Sequence, residues 1–403
     1  MKLSLSCMAA AALIAFGLSL AHGSIVLSLV SVICGAVGLG ILAMAARRRP
    51  VWALFLWGST FLPLSGAWIA PAFDTPLETF GVLLGLAVCG GVFYGGAAAV
   101  LSLIFRGSLR QLRFLVVPLA VPLAEYLAIQ SGLVMAPVGL LAVVGGWAWS
   151  VALLGAIASG GVLVCLAAIF AETCNHRLRV LMIVAAVLVT FVPAPSQPTY
   201  AGPPVYAVAH NPDPFDKWTE DGARNGLDIL IERSEAAPSQ GLIVWPENAV
   251  SGTFSVEEAL DLLVDVPKPI LFGMTRFANA GSPTLRNSAI LIDDSGVQIS
   301  DKVQLAPLME TGMPFGPRSD LQSGERSLMM LNGSTSILPL ICYEIAFPIA
   351  ISDFEARPDI IISIAAQTGF IVWLAEAIAD RHVRARELET GIRVVRVSDV
   401  YPL

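Results

Sequence analysis

Charge is scarce in this chain of 403 residues: 14% are Asp, Glu, Lys or Arg, against 56% hydrophobic. Soluble globular proteins carry about a quarter charged residues, so an ordinary water-soluble protein is excluded. The scarcity is also uneven. Residues 1–200 hold nine Lys/Arg and four Asp/Glu, whereas residues 201–403 hold fifteen and twenty-seven. Histidine is rarer still, with four in all, and no His/Cys/Asp/Glu spacing fits a metal site. There is no Gly-rich phosphate loop, no internal repeat and no basic patch with interleaved aromatics. The acidic second half argues against a nucleic-acid partner. Of six cysteines, Cys7, Cys34, Cys89, Cys165 and Cys174 belong to the apolar half; Cys342 stands alone in the polar half. These absences leave a membrane domain over 1–196, a Pro-rich linker over 197–204 that cannot continue a helix, and a polar domain over 205–403.

A transmembrane helix needs about 20 mostly apolar residues. Seven runs qualify, roughly 4–21, 25–46, 51–70, 80–105, 114–133, 148–171 and 179–195. The stretch 134–147 is apolar but broken by Gly and Pro, as a re-entrant or interfacial piece would be. Lys2 precedes the first run; Arg47, Arg48 and Arg49 follow the second, Arg106, Arg110 and Arg113 the fourth, Arg177 and Arg179 the sixth. All fall on one side, and the opposite loops carry only Asp74 and Glu78. The positive-inside rule then sets a cytoplasmic amino terminus, and an odd span count puts the polar domain outside, in a bacterium the periplasm. The first run reads as a span rather than a cleaved signal peptide, and Cys7 as membrane-buried rather than a lipidation site. Glu125, in Pro-Leu-Ala-Glu-Tyr-Leu, is the one acid deep in a run. It is either a functional intramembrane carboxylate or a helix-end residue near the outer surface.

In the polar half, short apolar runs alternate with amphipathic stretches. Strands are expected at 205–209, 241–245, 269–274, 288–292, 328–331, 336–342, 360–364 and 392–397, and helices at 214–235, 256–264, 346–355 and 374–390. Such alternation predicts an α/β layered sandwich with a buried sheet.

Three polar residues stand at strand ends: Glu247 after Leu-Ile-Val-Trp-Pro, Lys302 after Val-Gln-Ile-Ser-Asp, and Cys342 after Ser-Ile-Leu-Pro-Leu-Ile. Crevices in open α/β sheets form at the carboxyl ends of strands. A thiol acts as a nucleophile in its thiolate form, so it needs a base and a nearby positive charge. Glu247 suits the base. Lys302 suits the stabiliser of the thiolate and of a tetrahedral oxyanion, and a helix starting after Cys342 would add its amides. Such a set performs acyl transfer through a thioester. The competing Cys–His design has only His210, at the end of the first strand, and His382, whose Arg-rich surroundings read as surface.

Val-Trp-Pro-Glu-Asn-Ala (244–249), Asp-Lys-x-x-Leu-x-Pro-x-x-Glu (301–310) and Ile-Cys-Tyr-Glu-Ile-x-Phe-Pro (341–348) resemble the three signatures of the nitrilase, or carbon–nitrogen hydrolase, superfamily. They resemble most its membrane branch, the apolipoprotein N-acyltransferases. The resemblance implies a multi-span helical membrane domain followed by a nitrilase-like αββα sandwich. It makes Glu247 the general base, Lys302 the oxyanion stabiliser and Cys342 the nucleophile, with Glu310, Tyr343 and Glu344 in supporting places. It also implies a phospholipid acyl donor, a lipoprotein or other amine acceptor, the bacterial inner membrane, and no cofactor or metal. Ala-Ala-Gln-Thr-Gly-Phe (365–370) and Gly-Leu-Val-Met-Ala-Pro (132–137) depart from the branch, and the chain ends at Leu403 before the branch's closing strands and last membrane helix. A shortened, diverged pattern of this kind resembles the TraB conjugal transfer proteins of rhizobial and agrobacterial plasmids, which would bring conjugation-machinery partners.

Overall fold

Capping residues and prolines set the boundaries of the helical half. The computed structural model describes residues 2–400 except 21–23, 74, 134, 135, 174, 214–218, 239, 240, 251–255, 264, 265, 267, 268, 279–283, 308 and 312–320. Asp74, Cys174, the middle of the 132–137 segment and the expected start of the 214–235 helix lie outside the described residues. The apolar helices are α1 (Lys2–Ser19), α2 (Ile25–Ala46), α3 (Pro50–Ser65), α4 (Pro76–Ile104), α5 (Val116–Gln130), α6 (Ala148–Glu172) and α7 (His176–Phe191). Pro50 opens α3, and Thr75 with Glu78 forms a reciprocal capping box at the start of α4. Glu78 is therefore a cap rather than a free loop charge. Asn175 caps α7 by accepting from the Arg177 N–H at 2.9 Å.

The helices stand where the apolar runs predict, but not all reach the expected length. Among the described residues four segments, Val26–Ala46, Pro76–Ile104, Leu109–Gln130 and Gly145–Glu172, are long and apolar enough to cross a membrane. Helices α3 and α7 have 16 residues each, about 24 Å of rise against about 30 Å of hydrocarbon. The chain leaves helical geometry at Gly66 and again at Val192, directly before Pro193. Residues Val138–Val144 are buried in 3-10 turns and bends, as expected of a non-spanning piece. Glu125 faces inward: it is buried, and its Oε1 accepts from the Val138 N–H at 2.7 Å. Helices α3 and α4 meet backbone to backbone, since a Cβ on Gly90 would lie 2.1 Å from the Gly58 carbonyl oxygen.

Compact units divide near the expected boundary, with one exchange. Residues Met1–Ser196 gather with Trp373–Glu389, and Gln197–Val372 with Thr390–Leu403. Helix α10 (Val372–Thr390) thus belongs almost wholly with the apolar helices. Its Arg381, 0% exposed, donates to the carbonyls of Leu140 (2.9 Å), Gly17 (3.1 Å) and Leu20 (2.9 Å) and to Ser31 Oγ (2.8 Å). Helix α6 breaks at Gly155, φ +80°, and Glu389 Oε1 accepts the freed Ala156 N–H at 2.7 Å. The Arg-rich segment read as surface is therefore interior, and His382 is buried with it. The Arg381 guanidinium is buried here because it satisfies carbonyls that the end of α1 and the turn at Leu140 leave open.

The second unit contains two sheets. The five-stranded sheet runs β1 (Val205–Ala207), β2 (Leu242–Val244), β3 (Ile270–Phe277), β4 (Leu285–Asp293), β5 (Gly296–Asp301); the four-stranded sheet runs β6 (Met329–Leu331), β7 (Thr335–Ile341), β8 (Ile360–Ala365), β9 (Arg393–Ser398). β1–β2–β3 and β7–β8–β9 are parallel; β3–β4, β4–β5 and β6–β7 are antiparallel. One face of each sheet packs on the other through Leu242, Val244, Leu271 and Leu291 against Ile337, Ile341, Ile360 and Ile362. The far face of the first sheet is covered by α8 (Glu220–Glu235) and by residues of α9 (Val256–Leu262) and its end, with Leu227, Leu230, Ala259 and Leu263 on Trp245, Phe272 and Ile290. The chain thus pairs an apolar multi-helix unit with a two-sheet α/β sandwich.

Two expectations for this unit change. Strand β5 was not among the expected strands, because its largely exposed position and its Gly, Gln and Ser give an edge strand little apolar signal. The helix expected over 346–355 is absent: a 3-10 turn at Cys342–Ala346 ends at Phe347, which is extended (ψ 142°) as the residue before Pro348 must be.

Candidate active site

Each expected catalytic residue sits just past the carboxyl end of a strand. Glu247 follows β2 after Trp245, whose buried indole donates to Ser234 Oγ at 2.9 Å and fixes the strand end. The bend behind Glu247 passes so close to β3 that a Cβ on Gly273 would lie 2.6 Å from the Glu247 Cα. Lys302 follows β5, and its N–H donates to the Asn287 carbonyl of β4 at 2.7 Å. Cys342 follows β7 with φ +53°. This left-handed conformation costs a non-glycine residue about 1–2 kcal/mol, and it turns the thiol away from the strand at the head of the 3-10 turn.

The three side chains converge. Lys302 Nζ lies 3.2 Å from Glu247 Oε1 and 2.8 Å from Glu310 Oε1, with Lys302 1% and Glu247 5% exposed. Glu247 Oε1 also accepts from Asn287 Nδ2 at 2.7 Å, and its Oε2 accepts from the Ala366 N–H at 2.9 Å. The Cys342 thiol hydrogen-bonds to the same carboxylate. Glu310 is pinned by the Ala306 N–H on Oε2 (2.7 Å) and by Asn287 Nδ2 on Oε1 (3.1 Å). Five-stranded sheet residues thus supply the acid–base pair and the four-stranded sheet supplies the thiol.

Electrostatics decide the resting protonation. Burial pushes the Glu247 carboxyl up, but the Lys302 charge and the hydrogen bonds from Asn287, Ala366 and Cys342 outweigh it and hold it below the ordinary value. Burial would lower Lys302; the charges of Glu247 and Glu310 outweigh it and keep it raised and firmly protonated. The Cys342 thiol goes the other way: burial and the Glu247 charge raise it well above the ordinary value, and Lys302 offsets only part. The lowering expected from a helix start and from Lys302 is thus outweighed, since a short 3-10 turn and one lysine shared by two carboxylates do not overcome burial beside an anion. Both shifts favour a neutral thiol beside an ionised carboxylate, which leaves Glu247 placed to accept the thiol proton.

The supporting residues have separate places. Glu344 lies outside the cluster and acts as a brace: Oε1 accepts from the Val303 (2.8 Å) and Gln304 (3.1 Å) amides, Oε2 from the Ile341 amide (2.8 Å), and Arg326 pairs with it. It ties the chain after Lys302 to the strand end before Cys342. Tyr343 sets its ring edge-on to Phe347, centroids 5.2 Å apart. Asp301 faces away, bonded to Arg276 and Ser288. His210 lines a small pocket with Glu247, Asn248 and Asp399. Asn287 and the Ala366 amide were not foreseen: an Asn inside a strand carries no distinctive spacing, and a backbone amide leaves no mark in the sequence. Among the described residues no group of three or more His, Cys, Asp or Glu is arranged to hold a metal.

No family model matches the chain. It is 28% identical over 215 residues to the apolipoprotein N-acyltransferase of Brucella suis biovar 1 (strain 1330), covering 45% of this chain and 40% of that protein. It is 25% identical over 423 residues to the apolipoprotein N-acyltransferase of Rhizobium etli (strain CIAT 652), covering 91% of this chain and 78% of that one. The alignment therefore spans about two fifths of the Brucella relative's length and most of the Rhizobium relative's. Among solved structures, a carbon–nitrogen hydrolase from Helicobacter pylori G27 matches 48% of this chain and 72% of its own at 14% identity and TM-score 0.34. An amidase from Nesterenkonia sp. matches 49% and 76% at 18% identity and TM-score 0.33.

Proposed function

We propose that this chain is a membrane-bound acyltransferase of the carbon–nitrogen hydrolase type, working through a thioester on Cys342. The observation that carries the proposal is the buried cluster in which Lys302 joins Glu247 to Glu310 and the Cys342 thiol donates to Glu247. In the first half-reaction Sγ bonds to the acyl carbonyl carbon as its proton passes to Glu247. Lys302 stabilises the oxyanion; the carbon–oxygen bond to the donor's glycerol then breaks, and Glu247 returns the proton to the leaving alkoxide. In the second, an amine attacks the thioester, Glu247 takes the amine proton, the carbon–sulfur bond breaks, and the thiolate regains a proton. Similarity to apolipoprotein N-acyltransferases supports a phospholipid donor and the terminal amine of a lipoprotein, or another amine, as acceptor.

The one-sided arginines support seven spans in the bacterial inner membrane, a cytoplasmic amino terminus and a periplasmic α/β unit. The finer reading is service in plasmid conjugal transfer, motivated by the divergent Ala365–Phe370 segment. The test uses the full chain in phospholipid vesicles carrying labelled acyl chains. A hydroxylamine-labile label should appear on the wild type and be absent from Cys342→Ala. A label that persists in the variant, or none on the wild type, overturns the enzyme reading and leaves a non-catalytic component of a transfer or secretion assembly. Normal plasmid transfer by Cys342→Ala would remove acyl transfer from any conjugal role.

A further inference from the structure

The Ala366 N–H reaches Glu247 from a turn outside the sheet, so something other than strand pairing must fix that turn. After β8 the chain bends through Gly369, φ +95°, with the Phe370 N–H donating to the Gln367 carbonyl at 3.2 Å. Asp399, the first residue past β9, lies against it and is buried. Its Oδ1 accepts from the Gln367 (2.5 Å) and Thr368 (3.1 Å) amides, and its Oδ2 from Thr368 Oγ1 (2.6 Å). Asp399 is itself anchored: its N–H donates to the Ala365 carbonyl at 3.1 Å, and its carbonyl accepts from the Asn211 N–H at 2.7 Å. Arg396 Nη1 holds the Gln367 side chain at 3.2 Å.

We propose that Asp399 is a positioning residue of this site: by holding the Gln367 and Thr368 amides it fixes the turn that aims the Ala366 N–H at Glu247 Oε2. The inference rests on the acyl-transfer reading and deepens it. The side chain of Ala366 takes no part, so any residue there could offer the same amide; its direction is encoded 33 positions later, by Asp399. Glu247 is held by donors from three other directions, Lys302, Asn287 and Cys342, and Ala366 alone grips Oε2 from the β8 side. Loss of that grip frees the carboxylate to rotate and weakens its preference for the ionised form. The charged and titratable groups facing this set are Lys302, Glu310 and Cys342 on Glu247, Arg396 on Gln367, and His210 in the adjoining pocket.

The experiment follows the rate at which iodoacetamide alkylates Cys342 in the full-length protein from about pH 4.5 to 8, read on the Cys342 peptide by mass spectrometry. Asp399→Ala should raise the acid limb of that profile by about one pH unit, and Asp399→Asn, which keeps an oxygen for the amides, should restore it. The shift should persist in a His210→Gln background, which removes the histidine titration. An Asp399→Ala profile that superimposes on the wild type, an Asn variant as impaired as Ala, or a shift lost with His210 each overturns the proposal. Should Asp399→Ala fail to fold, Thr368→Val removes only the Oδ2 bond; a smaller shift in the same direction supports positioning, and no shift overturns it. An absent thioester on the wild type alongside a shifted alkylation profile would refute acyl transfer and leave the positioning role standing.

Discussion

Lys302→Met keeps most of the side-chain volume and removes the charge, so it isolates what the ammonium does. In the wild type Nζ sits 3.2 Å from Glu247 and 2.8 Å from Glu310, and Lys302 is 1% exposed. The variant leaves two buried carboxylates sharing the Asn287 amide at 2.7 and 3.1 Å. Breaking a buried pair on one side costs about 3–5 kcal/mol. Facing carboxylates cannot both stay ionised, so one takes up a proton and its pKa rises. The sign follows from the folded values. Glu247 is depressed in the wild type, so its contribution is present above the unfolded value of about 4.3 and lost as pH falls through the folded value. In Lys302→Met one carboxyl lies above its unfolded value, so the deficit is largest near pH 8 and shrinks toward about pH 5. Denaturant unfolding of the full chain in detergent, followed by circular dichroism at both pH values, measures it. A variant as stable as the wild type at pH 8, or equally weakened at both pH values, would refute the reasoning.

Glu247→Gln should lower thioester formation by about 10²–10⁴, the span of a lost general base, with the fold retained by circular dichroism. Wild-type activity should fall only as pH drops below the ordinary carboxylate range, because Glu247 is held below it; a pH–rate profile checks this. Cys342→Gly should be more stable than Cys342→Ala by about 1 kcal/mol, since glycine relieves φ +53°; denaturant midpoints compare the two. Arg381→Met strips the Leu20 and Leu140 carbonyls of this donor and leaves the Gly17 carbonyl to Ser31 Oγ alone. It should cost more than about 2 kcal/mol, read as a lower thermal midpoint in detergent that Arg381→Lys partly recovers.

The sequence was most legible where chemistry and periodicity coincide. Glu247 and Cys342 each end an apolar run and Lys302 a polar one, and the structure brings them together because each lies just past the carboxyl end of its strand, β2, β7 and β5. Glu310 was legible by motif resemblance. The residues that aim the carboxylate were less so: Asn287 sits mid-strand, Ala366 contributes a backbone amide, and Asp399 contacts its partners across 31 and 32 positions. Helix α10 was misread for a different reason. Arginine and histidine together signal solvent on composition alone, and the carbonyls at the end of α1 and at Leu140 are what make the burial of Arg381 favourable. The thiol was legible as a residue but not in its protonation, because its two charged neighbours act in opposite senses and burial decides.

The placement of α10 bears on how the chain can be made. Residues Trp373–Glu389 complete the apolar unit, yet they are synthesised after nearly all of the sandwich. Insertion of the early helices therefore cannot finish the first unit; the end of α1 and the break in α6 wait for Arg381 and Glu389. Nor can β9 join β8 until α10 has emerged between them. The first unit therefore matures late in translation, and a cut at the Pro-rich linker would leave the amino-terminal fragment without α10 and the other carrying α10 without the helices it completes.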